Sequence, residues 1–388
     1  MAGSQSVPGT LQGLNTLVQT SVTLIKQFEE VLNQAARGQS TTTPPSSSTS
    51  EDETPPSQAI DALSLAHDSA SLIRAHSTKL SLLIINKPFT PSAVIKVLQE
   101  LVAGPIPGIA SAVQICAADR YTSVVREDLA WRCHRVLKEL RVLVEVIPLD
   151  GNILPPEKRD GVRGDKGSLT VTGVVWAACD DVIQLQKLGV ANLLIKKVQQ
   201  YRDTLQDVLD ELKEWKEEGE QRDEDDDDDE DQEDEVDYVT DQLDTTHLDA
   251  QDMVDDLMNT RHIPRDDSDK IGERLEACLK RLRLTTLLYA AIVKRRLKVL
   301  PSLPLDRSSS VPKRLDEVMA ILKRLTDRFN EVACTFYELE PDAIDQSMDA
   351  CFFDAFAASE MLATPWDGEK DEFTDWVQKF QLGIKKSE

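Results

Sequence analysis

The stretch VANLLIKKVQQYRDTLQDVLDELKEWKEE, residues 190–218, decides the fold class of this chain. Its apolar residues recur three or four positions apart, from Leu194 through Leu205 to Trp215. Because an α-helix has 3.6 residues per turn, this spacing places them along one face of a helix. Most of the other positions are charged or polar, so the sequence predicts a long amphipathic helix over these residues.

The same spacing recurs on both sides of this helix. The stripes are wider than the two positions per heptad of a two-stranded coiled coil, and no stretch alternates with period two. The sequence therefore predicts an all-α fold, a two-part antiparallel helical bundle. The other apolar series run over residues 11–32, 129–147, 271–292, 315–339 and 344–362.

A strongly acidic run follows the helix directly. Between Asp223 and Asp237, 13 of 15 residues are Asp or Glu. Residues 216–256 carry a net charge of −20, so the rest of the chain contributes only −5 to the total of −25. A block of like charges repels itself and buries little apolar surface, which predicts a disordered insertion that separates two folded parts.

Linkers and helix ends complete the predicted organisation. Pro91 after Thr90 is typical of a helix start, Gly108 is expected to precede a long helix, and Pro341 is expected to separate two helices. The predicted division has five parts: an N-terminal helix of the bundle in 1–37, a disordered Ser/Thr/Pro linker in 38–57, an N-terminal helical bundle domain in 58–218, the acidic disordered segment in 219–266 and a C-terminal helical domain in 267–388.

Composition narrows the class of protein. The six cysteines are scattered within apolar helical patterns, which favours buried thiols in a reducing compartment. The first ten residues lack the pattern of a signal peptide, and the apolar stretch Leu284–Val293 is too short to span a bilayer. We therefore expect a soluble intracellular protein that binds no membrane. The acidic balance argues against direct nucleic-acid binding and favours basic partners.

No motif predicts an enzyme, a cofactor or a metal site. The glycines of residues 160–168 do not have P-loop spacing, and Asp225, Asp227 and Asp229 lack the glycine and glutamate that a calcium loop requires. The histidines show no zinc-binding spacing, and no nucleophile elbow is present. We therefore predict no catalytic, cofactor-binding or metal-binding residues, and the residues that bind a partner protein stay unassigned. The five histidines are His67, His76, His134, His247 and His262.

Two patterns in the C-terminal half have an ordinary and a functional interpretation. Lys294, Arg295 and Arg296 with Lys298 form either a nuclear import signal or, as we favour, a basic helix end that complements the helix dipole. The helices of residues 271–339 with their proline-containing break suggest either a helix-loop-helix dimeriser or, more simply, two bundle helices. The residues before Ile271 are not basic enough for a DNA-binding version.

Two short motifs carry a family resemblance. Val174-Val175-Trp176-Ala177-Ala178-Cys179 leads into the long helix and the acidic run, and Glu276–Arg283 contains a Cys-Leu-Lys sequence. This order resembles the cyclin-D-binding protein family, whose members interact with D-type cyclins and helix-loop-helix regulators. The resemblance implies an all-α, non-catalytic protein of cytoplasm and nucleus that regulates cell-cycle progression and transcription through protein contacts. It carries over no contact residues.

The predicted function is thus a protein-interaction adaptor that binds a cyclin or a helix-loop-helix factor. One alternative is a chaperone for histones or other basic proteins, in which the acidic run is the main binding element. Another is a cytoskeletal bundle adaptor of the vinculin type. Steep salt dependence of binding is expected for the chaperone and not for docking on an apolar surface.

Overall fold

The computed structural model describes residues 7–39, 60–160, 167–225, 262–264 and 266–385. Every regular element in these ranges is a helix, with no strand among them. The prediction of an all-α fold is confirmed. The chain divides into two compact units: unit 1 comprises Met1–Leu194 with Ser302–Asp316, and unit 2 comprises Ile195–Pro301 with Glu317–Glu388.

Unit 1 is a bundle around four long helices. The first helix packs against the sixth, the sixth against the eighth, and the eighth against the second, which the two short helices after it also contact. The apolar stripe of residues 129–147 is buried at each of its predicted positions. The helices are α1 (Val7–Ala36), α2 (Ala62–Ile85), α3 (Pro91–Ala103), α4 (Pro105–Ile115), α5 (Ala118–Tyr121), α6 (Ser123–Glu145), α7 (Pro156–Asp160) and α8 (Ser168–Leu188).

Two sequence predictions about helix ends in unit 1 have different outcomes. Pro91 begins α3 as predicted, although the Thr90 hydroxyl donates to the carbonyl oxygen of Pro88, at 3.2 Å, instead of capping the helix. Gly108, however, does not precede a long helix: it lies inside α4, and α6 begins at Ser123. A Cβ atom at Gly108 would stand 2.6 Å from the Ser69 hydroxyl oxygen, so glycine permits the close packing of α4 on α2.

Unit 2 contains the second group of helices. The predicted stripes of residues 271–292 and 344–362 are buried. The helices Ile271–Ile292, Pro341–Ala363 and Glu372–Ile384 pack against one another. The Tyr289 hydroxyl donates to the carbonyl oxygen of Leu322 in the helix Val311–Glu338, at 2.7 Å. The helices are the later part of α9 (Val190–Asp225), α10 (Ile271–Ile292) with a π-helical turn (Val293–Leu297), α11 (Val311–Glu338), α12 (Pro341–Ala363) and α13 (Glu372–Ile384).

A completely buried arginine joins three elements of unit 2. The Arg296 side chain donates from Nε to the carbonyl oxygen of Leu362 at 2.7 Å and from Nη2 to that of Ala363 at 3.2 Å. Its two Nη groups also donate to the carboxylate of Asp371, at 2.7 and 3.0 Å. Asp371 in turn caps α13 through Thr374. The side chain therefore connects the π-helical turn, the end of α12 and the start of α13.

The boundaries of the two units differ from the predicted domains. The prediction divides the folded parts at the acidic segment, whereas the units divide within α9, between Leu194 and Ile195, and within α11. α9 also continues to Asp225, beyond the predicted boundary at residue 218. Its apolar stripe is long enough to supply both cores, so the chain passes between units inside a helix. Most of the predicted Ser/Thr/Pro linker of residues 38–57 and most of the predicted acidic segment of residues 219–266 lie outside the described residues.

Among the described residues, one helical segment, Pro91–Ile115, is long and apolar enough to cross a membrane by length and composition alone. This segment is longer than the apolar stretch Leu284–Val293, and it contains only two charged residues, Lys96 and Glu100. It consists of α3 and α4, which separate at Gly104, and apolar residues of both helices pack within unit 1.

Candidate protein-interaction surface

A surface seam between α2 and α8 contains the tryptophan of the first sequence motif. Trp176 Nε1 donates to the Thr78 hydroxyl at 3.1 Å, and Arg74 pairs with Asp180 at 3.1 Å. Further along, Gln186 donates to the Ser64 hydroxyl at 3.0 Å. Because residue numbers rise on one helix as they fall on the other, α2 and α8 are antiparallel.

The motif residues are divided between the core and the surface. Val175, Ala178 and Cys179 are buried, and burial raises the pKa of the Cys179 thiol to about 12. Trp176 is half-buried, with the Arg74 guanidinium 5.5 Å from its ring centroid. Consecutive residues of an α-helix point about 100° apart, so one turn of α8 can bury Val175, Ala178 and Cys179 and leave Trp176 at the surface. The indole is therefore held at the surface by a cation–π contact and a hydrogen bond.

Two exposed leucines lie at the same end of this seam. Leu82 is 52% exposed and follows Thr78 by one helical turn on α2. Leu169 is 47% exposed and precedes Trp176 by two turns on α8. In an antiparallel pair, both displacements from the contact between Thr78 and Trp176 run in the same direction. We call Leu82, Leu169 and Trp176 with Arg74 the α2–α8 face.

Charged side chains flank the α2–α8 face. Asp180 is half-exposed, and Asp181 next to it pairs with Arg135 of α6 at 2.6 Å. Lys79 is exposed on α2. An apolar strip with a polar border is the composition expected of a protein-binding surface. Part of this surface could be recognised in the sequence, because Leu82 falls outside the apolar stripe that α2 buries. The stripe of one helix does not show, however, which exposed leucines of two helices lie at the same end of the seam.

The structure places the candidate histidines apart from one another. Among the described residues, no group of three or more His, Cys, Asp or Glu side chains is arranged to hold a metal ion. His67 lies beside Asp68, His76 is buried beside Glu100, and His262 stacks on Trp215. His134 is half-buried on α6, and His247 lies outside the described residues.

The other sequence candidates are structural or undescribed. All six cysteine thiols are free, and all but Cys334 are buried. Gly167 precedes α8 as its N-cap, while residues 161–166 lie outside the described part. Asp225 is the last residue of α9, and Asp227 and Asp229 are not among the described residues.

The basic cluster of residues 294–298 is only partly exposed in unit 2, and Lys294, Arg295 and Lys298 are its exposed members. Arg296 is completely buried, so the basic cluster does not present its central arginine to an import receptor. The second motif, Glu276–Arg283, has a structural role in unit 2. Its Cys278 and Leu282 are buried, and Arg281 Nε donates to the carbonyl oxygen of Ile384 at 2.8 Å. Sequence reasoning missed both buried arginines, Arg281 in the middle of α10 and Arg296 in the π-helical turn after it, since charged side chains are usually solvated.

Comparison with known protein families supports the first motif, Val174–Cys179, and does not extend to the second, Glu276–Arg283. Residues 66–218 match the model of the family described as Grap2 and cyclin-D-interacting, N-terminal. The resemblance to a cyclin-D-interacting family is confirmed over these residues, which include all four residues of the α2–α8 face. The chain is also 22% identical over 342 residues to the uncharacterized protein C22E12.18 of Schizosaccharomyces pombe, and the alignment covers 85% of this chain and 88% of that protein.

Proposed function

We propose that this protein is a non-catalytic interaction adaptor that binds a D-type cyclin or a helix-loop-helix regulator through the α2–α8 face. In this role it restrains cell-cycle progression and transcription in cytoplasm and nucleus. The observation that carries the proposal is that an exposed apolar strip lies inside the family-matched residues.

The chemistry of the face supports docking of a partner helix. Leu82 and Leu169 offer apolar side chains at the surface, and burial of each against a partner contributes about 1–2 kcal/mol. Trp176 is anchored in one orientation by Thr78 and Arg74, so little side-chain freedom remains to be lost on binding. Aromatic and apolar anchors with a charged border are typical of grooves that receive amphipathic helices.

A pair of leucine substitutions tests the proposal. Leu82→Asp places a charge in the α2–α8 face, while Leu287→Asp does the same on α10 at an identical 52% exposure. We expect Leu82→Asp to weaken binding of purified D-type cyclin or helix-loop-helix protein by roughly tenfold or more, whereas Leu287→Asp leaves it unchanged. Surface substitutions of this kind leave the fold intact, which circular dichroism verifies. Equal affinity of both variants would refute the α2–α8 face as the docking surface.

The acidic run supports the alternative of a chaperone for histones or other basic proteins. Its 13 acidic residues in 15 form a dense anionic segment in an otherwise nearly balanced chain. Replacement of residues 223–237 by a neutral Gly/Ser linker separates the two functions. If histones are the main partners of the intact protein and are lost with the neutral linker, the chaperone function replaces the adaptor function. If a cyclin or helix-loop-helix factor binds both forms equally, the adaptor function stands.

A further inference from the structure

Unit 2 contains two buried arginines whose charges are balanced differently. Arg296 is completely buried and forms two hydrogen bonds with the Asp371 carboxylate. Arg281 is 8% exposed, yet it forms no ion pair with any carboxylate of the described residues. Its Nε donates to the carbonyl oxygen of Ile384 at 2.8 Å. Asp349 influences Arg281 only from beyond ion-pair distance.

The Arg281 side chain is largely buried, but its two Nη groups keep solvent contact at the cavity and have donors that the described residues leave unused. Of its five N–H groups, the four on the Nη atoms have no acceptor among the described residues. The Phe352 ring, 3.7 Å from the guanidinium carbon, offsets part of the lost hydration. Burial lowers the pKa of Arg281, the direction expected when a buried charge lacks a partner. A bound anion would supply the missing partner and the missing acceptors.

Arg281 lines a cavity of about 410 Å³ between α10, α12 and α13. Five cationic and three anionic side chains line it, although the chain as a whole carries −25. Two of the anions already lie within ion-pair distance of cations, Asp345 with Arg274 at 3.3 Å and Glu273 with Lys270 at 3.5 Å. Lys280 and Lys385 are exposed at the cavity and form no ion pair with the described residues.

We propose that this cavity, which we call the anion pocket, binds a small organic anion. A carboxylate or phosphate head pairs with Arg281, and Lys280 and Lys385 add attraction at the rim. The apolar body of the ligand lies against Ala277 and Met348, which also line the cavity. Its volume lies within the range of pockets that enclose small ligands, about 300–1,000 Å³.

Three model compounds test the proposal on the full-length protein. Phenyl phosphate and phenylacetate carry the two anionic heads, and benzyl alcohol is the neutral analogue. Isothermal titration calorimetry at constant ionic strength should show saturable binding at one site for at least one anion. The affinity of benzyl alcohol, the neutral analogue, should be lower than that of the anion by roughly tenfold or more. The relative affinity of the two anions identifies the preferred head. Absence of saturable binding by both anions overturns the proposal.

Substitutions locate the binding. Arg281→Met should weaken anion binding roughly tenfold or more, and the melting temperature without ligand should stay level or rise, because an unbalanced buried charge has been removed. The double variant Lys280→Gln/Lys385→Gln should weaken binding severalfold without disturbing the core. Lys379→Gln, an exposed residue of α13 outside the pocket, is its matched control and should bind normally. Wild-type affinity in both the Arg281 variant and the double-lysine variant overturns the proposal.

Discussion

Replacement of Arg296 by methionine should destabilise unit 2 strongly. Methionine retains much of the side-chain volume but removes every donor that serves Leu362, Ala363 and Asp371. Breaking a buried ion pair by removing one partner costs about 3–5 kcal/mol. The Asp371 side chain is 38% exposed, so water hydrates part of the carboxylate that is left behind. We therefore expect a loss of about 3 kcal/mol, at the lower end of this range.

The neighbouring residue provides the control. Arg295 pairs with Glu372 at 2.5 Å, but both side chains are exposed, so Arg295→Met should cost less than about 1 kcal/mol. Urea unfolding measures the free energy of each variant, and hydrogen exchange of the α13 amides shows whether the loss is local to unit 2. Equal losses in the two variants, or an Arg296→Met protein within about 1 kcal/mol of wild type, would refute the reasoning.

Three further predictions follow from burial. Cys334 should react with a thiol reagent in the folded protein, and the other five cysteines only on unfolding, as the stoichiometry of labelling before and after denaturant will show. Gly108→Ala should destabilise the protein by about 1 kcal/mol, because the new Cβ atom meets the Ser69 hydroxyl. In a Ser69→Ala background the same change should be neutral or stabilising. Thermal unfolding of the wild type, the two single variants and the double variant measures the coupling energy between the two positions. Burial lowers the pKa of His76 below 6.5 although Glu100 lies 3.5 Å away, and nearby Lys79 acts in the same direction as burial. The folded state therefore binds the His76 proton less tightly than the unfolded state does. Neutral His76 contributes stability that is present above the unfolded-state pKa and is lost as pH falls through the folded-state pKa. His76→Asn should flatten the dependence of stability on pH between about 7 and 5.

The helices could be predicted because their signal is local. In α10, each of the apolar positions from Ile271 to Ile292 that recurs with helical spacing is buried. Pro341 begins α12 after a short break, because proline lacks the N–H that a continued helix requires. Gly108 shows the limit of such signals. Its role depends on Ser69, a residue on another helix, so the glycine could not be distinguished from a helix boundary in the sequence.

The α2–α8 face could be predicted only in part. Trp176 was singled out by its motif, but no apolar series was assigned to its own helix, α8. Leu82 and Leu169 are separated by 87 positions in the sequence and come to the same end of the seam only because α2 and α8 pack antiparallel. No contact residue was predicted for a partner protein, so the α2–α8 face stays a proposal that rests on geometry and the family match.

The sequence by itself determined the helical class, the helix-forming stripes and the concentration of charge in one segment, because periodicity and composition act within a single stretch of chain. Only the tertiary structure decided where the two units divide, and it did so inside α9, since both ends of one amphipathic helix can bury their apolar face in different cores. It also decided the fate of the arginines. Arg295 and Arg296 are adjacent and chemically identical, yet one is exposed and the other is enclosed by the end of α12 and the cap of α13. Burial of a charge depends on the partners that distant segments bring to it.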